Sequence, residues 1–184
     1  METTLVSRNN IKNLTTASLL LAFGIILPSF TGPQLGAIVL PMHVPALLAG
    51  LLVGKKYGMM VGIMTPLLRS FLFGMPPLFP VATAMAVEMG TYALVAALIY
   101  GSSKGFSLGR LYGAIIVAMI LGRVTFGLAM LTMLRGFGMG PGVYSMSIWF
   151  ASVFTSSWIG IVFHLVLIPM IIVSLKHSGF LRRV

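Results

Sequence analysis

Long apolar runs, broken by short polar or Pro/Gly-rich stretches, account for nearly the whole chain. Residues 1–13 are polar, with Arg8 and Lys12 ahead of the first run. That run predicts a helix over Leu14–Phe30, ended by Gly32-Pro33. The connection Thr31–Met42 is uncharged, holds Gln34, Gly36 and Pro41, and is apolar enough to fold back over the protein. A short second helix follows over Val44–Val53, longer if Ile38–Leu40 join it across Pro41. Pro41 and Pro45 predict a broken entry, a form tolerated at membrane depth where it lines a cavity. Gly54-Lys55-Lys56-Tyr57 makes a tight basic turn into a third helix, Gly58–Phe73, with a kink at Pro66. The Pro-rich turn Gly74–Pro80 leads to a fourth helix, Val81–Tyr100. After the polar loop Gly101–Gly109 come a fifth helix, Leu111–Leu134, a Gly-rich stretch, Arg135–Gly142, and a sixth helix, Ser145–Leu175. The tail Lys176–Val184 is basic.

Composition turns these helices into membrane spans. Of 184 residues 58% are hydrophobic and only 8% charged, against about 25% charged in a soluble domain. The predicted fold is therefore an all-α membrane protein, one domain over residues 1–184, built as a compact bundle of six transmembrane helices. Fourteen Met and 21 Gly suit helices that pack closely and adapt in shape. The absence of Cys excludes disulfides, thiolate metal sites and a thiol relay. No cleavable signal peptide is expected, because the run from Leu14 is too long and lacks a small-residue cleavage site.

A net charge of +10 would suggest nucleic acid in a soluble chain. Its placement points elsewhere. Arg8, Lys12, Lys55, Lys56, Lys104, Arg110, Lys176, Arg182 and Arg183 fall at the two ends and in alternate connections. The other connections hold no charge except Arg135. This alternation predicts that the N-terminus and C-terminus are cytoplasmic, in a cell membrane, with no nucleic-acid partner.

The stretch Ile63–Tyr92 carries the candidate chemistry. Arg69 precedes the Pro-rich turn, and Glu88, one of two acidic residues in the chain, follows it. Both lie about 8–12 Å below the turn on facing antiparallel segments. An ionisable group inside a span costs roughly 3 kcal/mol or more, so each calls for a partner. Two readings stand: an Arg69–Glu88 pair that fixes helix packing, or a polar floor beneath a substrate pocket, which is favoured. Arg123 lies mid-way along the fifth helix and Arg135 at its outer end. His43, beside the broken helix entry, is a candidate ligand contact. His164, deeper in the sixth helix, reads as a hydrogen-bonded packing residue, with ligand contact as the alternative.

Two small-residue patterns add to this. Gly50, Gly54, Gly58 and Gly62 recur every fourth residue and would let two backbones approach closely within the helix 2–helix 3 hairpin. Ser18 and Ala22, with Gly24 close by, form a small face on the first helix. Catalytic signatures are missing: the chain has no HExxH, GxSxG or P-loop motif. Ser156, Ser157 and His164 lack an orienting acid. The chain is expected not to be an enzyme and to bind no cofactor.

The run from His43 to Gly58 (HVPALLAGLLVGKKYG), then Thr65–Ser70 (TPLLRS), Gly74–Leu78 (GMPPL) and Met85–Tyr92 (MAVEMGTY) resembles the S components of energy-coupling factor (ECF) transporters. The rest of the chain agrees in size and pattern. The resemblance implies a vitamin-binding subunit of an ATP-driven importer. Its partners would be a transmembrane coupling subunit and two cytoplasmic ATPase subunits, which use the ATP. It also implies docking through small residues of the first helix, at Ser18 and Ala22, where the family's Ala-x-x-x-Ala has Ser for its first Ala. The substrate would lie on the outer side, among helices 4–6 and the outer loops, with the first loop as a lid. Gln34, His43, Arg69, Glu88, Tyr92, Arg123 and Trp149 are the substrate-binding candidates. The three intramembrane arginines favour an anionic vitamin such as pantothenate, held by bidentate Arg–carboxylate contacts. A hydroxymethylpyrimidine or pyridoxine ring would instead use Glu88 and stack on Tyr92, Trp149 or Trp158. Rivals of other classes are a stand-alone secondary transporter and a structural or assembly membrane protein.

Overall fold

The computed structural model describes residues 2–101, 106–138, 145, 147, 149–151 and 158–178, with side chains for all of these except 2–9, 33–35, 37 and 38. Every regular element among them is helical: α1 (Glu2–Val39), α2 (His43–Val53), α3 (Lys55–Phe73), α4 (Thr83–Gly101), α5 (Leu108–Gly136) and α6 (Trp158–His177). An irregular helical turn, Leu78–Ala82, leads into α4.

The breaks fall where the sequence has its Pro and Gly. Helix α1 runs past the predicted end but is interrupted at Gly32, whose φ of 68° no helix contains. Gly54 alone joins α2 to α3, at φ 91° and ψ −177°, a conformation that essentially requires glycine. Helix α3 ends on Gly74 in the left-handed region, its amide donating to the Ser70 carbonyl at 2.9 Å. Pro66 lies within α3, as anticipated. Of the predicted sixth helix, the C-terminal part is α6, and most of the segment before it, with Ser156 and Ser157, lies outside the described residues.

Four helices among the described residues are long and apolar enough to cross a membrane: Asn10–Gly32, Leu78–Gly101, Leu108–Gly136 and Trp158–His177. Helix α2 is different in kind. Its 11 residues reach about 16 Å, roughly half of a bilayer's hydrocarbon thickness. All of them but Leu52 are buried, because α1, α3, α4 and α6 surround it. It is the central rod of the bundle, and its apolar character serves protein contacts rather than lipid.

The glycine series does more than close a hairpin. Gly58 lies against the Gly50 backbone, as expected, but Gly50 and Gly62 also press on α4, at Ala93 and Met89 respectively. A side chain at either would collide with backbone. The series thus seats the α2–α3 hairpin on α4, which in turn lies along α5. Gly24 faces Thr65 and brings α1 onto α3, whereas Ser18 and Ala22 are exposed on the other side of α1.

Candidate functional site

The break in α1, the connection to α2 and the turn after α3 line an open cavity of about 610 Å³. Such a volume is in the range of small-molecule sites. Its walls come from α1 around Gly32, the segment Leu40–Met42, the ends of α3 and its following turn, and Met85 near the start of α4. Leu40 holds a positive φ of 53°, so the chain turns sharply there before α2 begins. Among the described residues, three polar side chains face this mostly apolar space: Ser29, His43 and Arg69.

Arg69 is held by α1. Its Nη1 donates to the Ile25 carbonyl and, at 3.2 Å, to Ser29 Oγ. Its guanidinium carbon lies 5.0 Å from the centre of the Phe73 ring, an arrangement that favours a cation. The Arg69–Glu88 pair, the less favoured of the two sequence readings, is not formed: Glu88 has other partners. Gly62, two turns before Arg69 on α3, lies against Met89 of α4, but the Arg69 side chain turns toward α1, where Ile25 and Ser29 hold it. Equal depth in the membrane did not bring the two charges together.

Glu88 instead pairs with Arg123 of α5, Oε1 to Nη1 at 3.0 Å. Tyr92, one turn further along α4, donates its hydroxyl to the same carboxylate oxygen at 2.6 Å. The Tyr92 ring lies against Gly122, whose lack of a side chain leaves room for it. His43 Nε2 is 3.7 Å from that oxygen, and the His43 ring lies 5.3 Å from the Tyr92 ring. Glu88, Tyr92 and His43 are at most 2% exposed and Arg123 8%, so this is an interior network, with His43 joining it to the cavity wall.

His164 also belongs to this network, at 6.2 Å from His43 between ring centres, its Nδ1 donating to the Gly160 carbonyl. Trp149 lies on the far side of Arg123. Its Nε1 donates to the Arg123 backbone carbonyl at 3.3 Å, and its ring covers Gly127. Of the seven candidates, His43 and Arg69 thus line the cavity. Glu88, Tyr92 and Arg123 stand behind it, and Trp149 braces α5. The side chain of Gln34 lies outside the described ones, as does most of the segment before α6. Arg135 is exposed at the end of α5 and Trp158 at the start of α6. The Glu88–Arg123 pair was within reach of the sequence, since both lie at similar depth counted from the α4–α5 loop. What decided it was which helix faces which.

Residues 12–172 match the family described as ECF transporter, substrate-specific component. The chain belongs to this family. The match runs from the first turns of α1 into the last turns of α6, so no part of the bundle core falls outside it. S components are transporter subunits rather than enzymes, and membership implies association with the ECF module and a vitamin substrate. Together with the apolar helices it makes this S component a multi-pass membrane protein. No match was found among curated proteins or among solved structures.

Proposed function

We propose that this S component captures an anionic vitamin, pantothenate, on the outer side of the cell membrane for an ATP-driven importer. The observation that carries the substrate class is Arg69. Among the described residues it is the charged side chain on the cavity wall, and the chain's one intramembrane acid is engaged elsewhere, by Arg123. A carboxylate there would form charge-assisted hydrogen bonds to the guanidinium in a mostly apolar pocket. Recognition of a neutral ring by Glu88 is less favoured, because its carboxylate is already bound by Arg123 and Tyr92.

The six helices alternate in direction across the membrane, with both ends cytoplasmic; α2 alone is too short to span the hydrocarbon, and the cavity lies at its first residue. Lys55, Lys56, Arg110 and Lys176 lie at the end of the bundle opposite the cavity, where α5 begins and α6 finishes. Lys176 Nζ sits 4.0 Å from the Phe106 ring there. That end is basic, and the connections at the cavity end carry no charge apart from Arg135, which supports this orientation. Ser18 and Ala22, small and exposed on α1, form the docking face for the coupling subunit. The chain itself holds no cofactor; ATP is used by the two ATPase subunits.

The test is uptake of radiolabelled pantothenate by vesicles containing this chain, with and without the coupling subunit and ATPases. Uptake that needs all the subunits and ATP supports the proposal. Uptake by the chain alone would make it a stand-alone carrier, and uptake of pyridoxine in place of pantothenate would overturn the substrate.

A further inference from the structure

Ser29 of α1 stands beside Arg69 on the wall of the open cavity, and it is exposed. A serine inside a helix commonly turns its hydroxyl back to a carbonyl of the preceding turn. Thr31, two residues on, does this, donating to the Pro28 carbonyl at 3.1 Å. Ser29 does not. The carbonyl four residues before it, that of Ile25, accepts from Arg69 instead. Ser29 Oγ in turn accepts from Arg69 Nη1 at 3.2 Å, and this is the one hydrogen bond that its side chain makes among the described residues. A hydroxyl carries a proton besides its lone pairs. That of Ser29 is unspent, next to a cation, in a cavity large enough for a small molecule.

The same contacts limit what Arg69 can offer. Nη1 carries two hydrogens, and α1 supplies an acceptor for each, at Ile25 and at Ser29. Nη2 and Nε remain for a ligand. We propose that Ser29 is the second group holding the substrate's anionic end: one carboxylate oxygen takes an N–H of the Arg69 guanidinium, and the other takes the Ser29 O–H proton. An O–H···O⁻ bond of this kind is charge-assisted. The guanidinium N–H that Ser29 accepts also polarises its hydroxyl toward donating. A neutral alcohol in the carboxylate's place offers one uncharged oxygen, so the two groups together select for a carboxylate. This rests on the reading of the cavity as the substrate site. It adds a specificity residue on α1 to the cation on α3, so that the substrate bridges the two helices.

The experiment is equilibrium titration of the purified full chain with pantothenate and with its alcohol analogue, in which a hydroxymethyl group replaces the carboxylate. Wild type should prefer pantothenate. Ser29→Ala should weaken pantothenate by about 5- to 50-fold, leave the analogue nearly unchanged and melt like wild type. Ser29→Thr, which keeps the hydroxyl, should restore most of the affinity. If Ser29→Ala weakens both probes equally, or neither, the role of Ser29 is wrong while the Arg69 cavity stands. A further arm separates contact with the substrate from bracing of Arg69. In an Arg69→Lys background, Ser29→Ala should still weaken pantothenate several-fold. No added loss there would mean that Ser29 only steadies the guanidinium, and the proposal fails. If wild type binds no pantothenate, the substrate reading fails and takes the role of Ser29 with it.

Discussion

Glu88 and Arg123 show how a single pair governs the interior. Each charge is tolerated at this depth because the other neutralises it, with Tyr92 completing the carboxylate's hydrogen bonding. Removing one partner should cost about 3–5 kcal/mol, because an uncompensated charge is left buried. Glu88→Gln is therefore expected to lower the melting temperature sharply in detergent. Glu88→Gln combined with Arg123→Met should recover most of the loss. Additive losses in that double variant would mean the two side chains do not act as a pair. The sequence identified these residues as charged groups in need of partners, but it could not choose between Arg69 and Arg123 for Glu88. That choice depends on the direction of the Arg69 side chain, which Ile25 and Ser29 of α1 hold. The sequence weighed His164 but could not place it 6.2 Å from His43, across helices far apart in sequence.

Among the elements, α2 and its glycines decide how tightly the bundle closes. Gly50 and Gly62 meet α4 backbone, so Gly50→Val and Gly62→Val should each destabilise by about 1–3 kcal/mol or more. Gly113 of α5 has open space around it. Gly113→Ala should be neutral or stabilising by up to about 1 kcal/mol. Melting curves of the three variants check this contrast, and equal effects would contradict the packing described. Every-fourth-residue spacing made the close approach legible, though not its partner helix. The broken entry to α2 was legible too, from Pro41 and Pro45. The full burial of α2 was not, since an apolar run looks the same facing lipid or protein. On α1, Ala22→Trp should abolish co-purification with the coupling subunit and ATP-dependent uptake while sparing pantothenate affinity. Equal loss of affinity would show that this face supports the fold instead.

At the scale of the whole molecule, the proposed orientation puts the cavity on the outer side and the basic connections in the cytoplasm. The chain has no Cys, so single-Cys variants report without background. In intact cells a membrane-impermeant thiol reagent should label Met75→Cys, beside the cavity, and should not label Lys55→Cys. The reverse pattern would invert the topology. The central claim is that the cavity under the α1–α2 connection binds an anionic vitamin through Arg69. Pantothenate titration of the purified wild type and of Arg69→Met, both shown to be folded, tests it most directly. Saturable binding by the wild type, weakened about 30- to 5,000-fold in the variant, is the predicted result, matching the loss of about 2–5 kcal/mol for a charge-assisted pair. Unchanged affinity in Arg69→Met would contradict it and leave Arg69 as a tie between α1 and α3.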